Sequence, residues 1–153
     1  EKEGINLHIE PHPEDWTETL QPSVDLIRTV NSKRVKFLYC TPHTFYFGDD
    51  TVAMLRECAD VLAHVHIADT FNHKASSGLR YIINPPGSTA RVHQHLNIGQ
   101  GEVPWDDFFG TLAEIGFDGI MTACVFAWEE KADESGRFMR AEMQRFVDQH
   151  WPS

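Results

Sequence analysis

Four side chains able to bind a metal ion stand where strand-like segments of this chain end: Glu10, Cys40, His66 and Cys124. Two thiolates with one imidazole select strongly for Zn²⁺ over Mg²⁺ or Mn²⁺, and a carboxylate can complete the set. The spacing is not that of a zinc finger. The residues lie roughly one strand-helix unit apart, with a doubled gap before Cys124, so they converge only if a repeating fold brings strand ends to one axis. A plainer reading stands beside this one, in which Cys40 and Cys124 are small buried hydrophobes and Glu10 is a paired surface carboxylate. Cys58 falls on the core-facing side of a helix and is read as core.

The elements that must position these groups can be followed along the chain. Residues 5–10 alternate with period two, and Leu20, Val24, Ile27 and Val30 then recur at helical spacing. Val35 to Cys40 forms a second strand, after which Asp49 or Asp50 caps a helix whose stripe is Val52, Leu55, Ala59 and Leu62. Residues 63–69 form a third strand, followed by a long Pro-, Gly-, Ser- and His-rich connection. A helix begins at Pro104, carries Trp105, Phe108, Phe109, Leu112 and Ile115 on one stripe, and ends with Gly116 at its C′ position. Residues 119–126 make a fourth strand, and the last helix carries Met139, Met143, Phe146 and Val147.

This βαβαβαβα order predicts a parallel sheet covered by helices, either open and doubly wound or closed as a (β/α)8 barrel. A complete barrel takes about 250 residues, so these 153 residues make half of one, with two unpaired edges that something must cover. One alternate set of each strand is mainly apolar and faces helices: Ile5/Leu7/Ile9, Val35/Phe37/Tyr39, Ala63/Val65/Ile67 and Met121/Ala123/Val125. The other set directs Glu10, Cys40, His66 and Cys124 inward at the carboxyl ends of the strands.

Among the nine histidines, His43, His64, His73, His93 and His95 lie in or beside the strand ends and the long connection. His43 ranks first among them, three residues past Cys40 at the mouth. Residues 91–105 are read either as a cover over the site, with Gly87, Gly99 and Gly101 giving it freedom, or as an ordinary long loop. The GQG of residues 99–101 is not a dinucleotide fingerprint, and no G-x-S-x-G elbow, Walker A or C-x-x-C occurs.

Composition excludes other classes. A formal net charge of −10 without a Lys/Arg stripe argues against nucleic acid as a partner. No run of 18 apolar residues suggests a membrane span, and 41% apolar residues suffice for a globular core. Three cysteines are too few for a disulfide framework, which points to the cytoplasm. The chain starts without Met or a signal segment and is read as a fragment, with its real N-terminus upstream.

With these residues in view, the chain resembles the xylose isomerase-like TIM barrels of the sugar-phosphate isomerase/epimerase superfamily. LHIEPH resembles the strand-five segment whose Glu binds metal, YCTPH the strand-six Asp-Thr-x-His motif, and HVHIAD the strand-seven His-x-x-Asp. LNIGQGEVPWDDFFGTLAEIGFDG is similar to the stretch that leads into strand eight. CTPHTFYFGDD, INPPGSTARVHQHLNIGQGE and CVFAWEE are similar to the IolH-type branch of myo-inositol catabolism.

The resemblance implies the C-terminal half of one barrel over residues 1–153, strands five to eight, with an N-terminal half upstream or a homo-oligomer in its place. It implies a small-molecule sugar, polyol or inositol-derived ketone as substrate, in cytoplasmic carbohydrate metabolism. It also implies a divalent metal on Glu10, Cys40, His66 and Cys124, zinc favoured, with manganese, cobalt and magnesium as the other candidates. Glu10 then serves as base, His43 contacts substrate, Lys74 or Arg80 meets an anionic group, and His93 and His95 belong to the substrate side.

Two positions depart from the family: Cys40 stands where it has a metal Asp, and Cys124 where it has a Glu that is both ligand and base. The site is then either a closed structural zinc in a silent accessory or binding protein, or Cys2His with an open catalytic position. The endonuclease branch is disfavoured by the negative charge and by the lack of that branch's additional His-rich ligands.

Overall fold

A computed structural model describes residues 3–13, 15–48, 50–72 and 94–151 of the chain. The elements run β1 (Leu7–Ile9), α1 (Leu20–Val30), β2 (Val35–Cys40), α2 (Thr41–Phe45), α3 (Thr51–Glu57), β3 (Leu62–Ile67), α4 (Trp105–Glu114), β4 (Ile120–Ala123), a 3-10 turn (Glu129–Lys131) and α5 (Ala132–His150). The four strands form one parallel sheet in sequence order, the pattern that alternating strands and helices predict. Cys40 pairs with His66, and His66 with Thr122, so the inner face keeps the expected register.

The apolar faces of the strands meet the helices. Phe37, Tyr39, Val65 and Ile67 are buried against Val24 and Ile27 of α1, Leu55 of α3, Phe108, Phe109 and Leu112 of α4, and Met139 and Phe146 of α5. Phe109 and Phe146 stack with ring centroids 4.7 Å apart, which fastens α4 to α5. Such a pair adds about 0.5–1.5 kcal/mol beyond its area burial. Asp50 caps α3 through Ala53 N (3.0 Å), and Gly116 adopts φ +69° just past α4, both as the residue types require.

The outermost strands behave differently from the inner pair. Ile5, just before β1, and Leu7 within it are 73% and 59% exposed and Ile120 of β4 is 56% exposed, and these two strands have a hydrogen-bonded neighbour on one side only among the described residues. Val30, the last residue of the α1 stripe, is also exposed. The third helix ends at Glu57 rather than continuing to Leu62: Val61 carbonyl accepts from Phe37 N (2.8 Å) and Leu62 joins β3. Sheet pairing takes these residues from the helix, and the buried face of α3 is Met54 and Leu55, followed by the buried Cys58. Among the described residues no helix is long and apolar enough to cross a membrane.

Candidate metal centre

Strand ends build the site. Glu10 follows the last residue of β1, Cys40 closes β2 and His66 lies on the adjacent β3, directly beside Cys40 in register. The chain then turns at once into α2, with Pro42 in its first turn where no helical N–H is missed. Thr44 Oγ1 donates to the Cys40 carbonyl (2.8 Å), and Thr41 Oγ1 donates to Ala68 O (2.6 Å) while accepting from Ala68 N (3.2 Å). These bonds lock the ends of β2 and β3 together and turn His43 back toward Glu10.

Glu10 Oε1 lies 3.2 Å from His66 Nδ1 and 3.3 Å from His43 Nδ1. The Pro11 carbonyl lies 3.0 Å from the same His43 nitrogen. A carbonyl oxygen only accepts, so His43 carries its proton on Nδ1, and its neutral form presents Nε2 as an acceptor. Burial alone would raise the Glu10 carboxyl, but hydrogen bonds from His43 and His66 and their charge outweigh it and hold the group far below the usual carboxylate range. His66 is raised to about 9, first by its hydrogen bond to the Cys124 side chain and then by Glu10, against its burial. Burial, followed by the nearby Glu10 and Cys124, pushes the Cys40 thiol well above its ordinary range. To serve as a ligand it must release that proton to solvent or a neighbouring base as the cation takes its place.

Two groups of donor atoms share Cys40. Glu10, Cys40 and His66 form one and Cys40, His43 and His95 the other, each with its ligand atoms within 4.8 Å of one another. Cys40 Sγ lies 3.9 Å from His95 Nε2, and the His43 and His95 rings meet edge-on at 5.2 Å. Sequence reasoning placed His43 and His95 on the substrate side; the fold also sets both against the sulfur. Cys124 sits one residue beyond β4, with its N–H on Ile67 O (3.0 Å), and reaches the cluster through the His66 ring.

Asp69 explains how His95 arrives there. Its backbone forms an antiparallel bridge with Leu96. Its buried carboxylate accepts from Thr70 N (2.9 Å), Gly99 N (2.7 Å), Val103 N (3.1 Å) and Trp105 Nε1 (2.9 Å). Residues 94–105 are thereby fastened to the end of β3 rather than free-standing as a cover. Gly99 and Gly101 serve that fastening: Gly99 has φ +86°, and a Cβ on Gly101 would lie 2.4 Å from Thr70 O. Lys74, Arg80 and His93, expected to contact substrate, lie outside the described residues, as does Gly87.

The donor set fits a metal ion. Two ligands each about 2.0–2.1 Å from a tetrahedral zinc are separated by about 3.3–3.4 Å, close to the 3.2 Å between Glu10 Oε1 and His66 Nδ1. Sulfur with imidazole is the zinc-selective chemistry, whereas Mg²⁺ requires an oxygen shell that these residues do not supply.

The comparisons agree with this architecture. Residues 1–142 match the family model described as xylose isomerase-like TIM barrel, and the chain belongs to that family. A solved structure of IOLI protein with a binding zinc atom superposes with TM-score 0.69 at 20% identity, covering 97% of this chain and 50% of that one. L-ribulose 3-epimerase gives 0.69 at 16% identity, covering 96% and 48%. The probable 3-DHS dehydratase AsbF of Bacillus anthracis gives 0.68 at 18%, covering 94% and 50%. The chain thus spans about half the length of these structures, and at such identities the likeness establishes the fold. No curated protein matches the sequence.

Proposed function

We propose that this chain is the site-bearing C-terminal half of a metal-dependent isomerase, epimerase or related lyase acting on a sugar- or inositol-derived ketone. The observation that carries the reading is the single Glu10 oxygen held between His66 and His43 beside Cys40, where parallel barrel strands end. Glu10, Cys40, His66 and Cys124 would hold the ion, with zinc favoured. When bound, the metal polarises a carbonyl oxygen and makes the neighbouring C–H more acidic.

The chain's own residues supply the proton handling. Glu10 stays ionised and accepts the proton next to the carbonyl once one of its two imidazole donors is withdrawn. His43, with Nδ1–H committed to Pro11, turns Nε2 to a substrate hydroxyl and orients it. An upstream half-barrel supplies the remaining wall and the cover over both sheet edges. Similarity to L-ribulose 3-epimerase supports a hydroxylated carbonyl substrate, and similarity to IOLI protein with a binding zinc atom supports the choice of zinc.

The test incubates the zinc-loaded protein, together with its upstream half, with inositol ketones and ketoses in D2O. Deuterium should enter the carbon beside the carbonyl, and Glu10→Gln should abolish that exchange. A zinc-loaded protein that exchanges no proton with any of them favours the second reading, an accessory or binding protein with a structural zinc. The full burial of Cys40 and the thiols at carboxylate positions favour that alternative.

A further inference from the structure

A cleft of about 300 Å³ opens between residues 97–100 and the first turns of α5. It shares no residue with the Cys40-centred groups. Its walls are fixed by two amides. Gln100 Oε1 accepts from Trp128 Nε1 (2.8 Å) and from Asn97 N (3.2 Å), and Asn97 Oδ1 accepts from the Ser135 hydroxyl. With both oxygens committed inward, each NH2 group is left as a donor without a hydrogen-bond partner among the described residues. Lys131 and Glu134 flank the opening, neither in an ion pair among the described residues. Phe138, 43% exposed, and the Trp128 indole add apolar faces.

We propose that this cleft is a second small-molecule site, one that takes a neutral polyhydroxylated ligand, a sugar or cyclic polyol, independently of the metal centre. A hydroxyl both donates and accepts. A polyol can therefore accept from the Asn97 and Gln100 amides and from Lys131 while donating to Glu134, with its C–H face against Phe138. Inorganic phosphate is an anion that the Glu134 carboxylate repels, and it has no C–H face to set against Phe138. A wholly apolar ligand would strip water from two amides and two charges and return no hydrogen bond. The volume sits at the small end of ligand sites, the scale of one sugar ring.

The test titrates myo-inositol into the ¹⁵N-labelled chain, assembled with its unlabelled upstream half and stripped of metal by a chelator, and follows the indole N–H signals of its four tryptophans, with W128F assigning one. The Trp128 signal should shift saturably while the others stay in place, and inorganic phosphate should leave it unmoved. Lys131→Ala and Glu134→Gln, both at exposed positions, should each weaken binding about fivefold. A Glu10→Gln/His66→Gln variant should bind as before. The proposal is overturned if Trp128 does not respond to myo-inositol, if both surface variants bind unchanged, if phosphate shifts the signal instead, or if the Glu10/His66 variant loses the response.

Discussion

The Asp69 carboxylate accepts the indole N–H of Trp105 at 2.9 Å, joining the residue just beyond β3 to the first residue of α4 across a long connection. The same carboxylate takes backbone N–H groups from Gly99 and Val103, so one buried acid organises the segment that carries His95. Asp69→Ala orphans these donors in the interior. The cost should be about 3–5 kcal/mol by the penalty for buried unpaired donors. Urea unfolding measures it, and a loss under 1 kcal/mol would show that water replaces the carboxylate.

Glycine substitutions should separate close approach from helix propensity. A Cβ at Gly101 would meet Thr70 O at 2.4 Å and Asp69 Oδ1 at 2.5 Å, and the first of these is backbone that cannot step aside. Gly101→Ala should destabilise by about 2 kcal/mol or more. Gly136, inside α5, has nothing within 4 Å of its Cβ position. Gly136→Ala should stabilise by about 0.5–1 kcal/mol, since alanine loses less backbone freedom in a helix. Thermal unfolding of both variants should move the midpoint in opposite directions.

Period-two alternation and the capping residues made the strand order, the helix faces and the inward direction of Glu10, Cys40 and His66 readable in the sequence. What escaped it was tertiary in origin. Helix α2 is a single turn of TPHTF held by threonine hydroxyls on neighbouring carbonyls, a signal that no apolar stripe reports. The stripe through Leu62 overran its helix because sheet pairing with Phe37 outweighs local helical spacing. His95 lies in a stretch without periodicity, and its place against Cys40 is set by the bridge between Asp69 and Leu96, two residues far apart in the sequence. Cys124, expected as a fourth ligand, stands outside both donor groups and meets His66 instead, a side-chain reach that strand spacing does not report.

Bare sheet edges should show in solution. Leu7 on β1 and Ile120 on β4 are exposed apolar residues on strands with one free side, and a cleft of about 350 Å³ runs between β4 and α5 beside Met121 and Met143. Parallel edges of this kind recruit further strands. The 153-residue chain alone should dimerise or aggregate, and Leu7→Lys with Ile120→Lys should reduce that association. Sedimentation velocity distinguishes the cases; a dilute wild-type monomer without its upstream half would contradict the half-barrel account.

Metal content and selectivity offer the most direct test of the centre. Cys40 is common to both donor groups, so Cys40→Ala should remove tight zinc binding altogether, whereas His66→Ala leaves Cys40, His43 and His95 as a weaker set. Protein purified without added metal should carry about one zinc per chain. Cobalt substitution should give a thiolate-to-cobalt charge-transfer band that Cys40→Ala abolishes and His66→Ala only alters. Restoring oxygen donors with Cys40→Asp and Cys124→Glu should harden the site and move its preference from zinc toward manganese and magnesium. Elemental analysis and competition between the metals read this out. Unchanged selectivity in the double variant would place the ligands on other residues, whatever the affinity of the wild-type site.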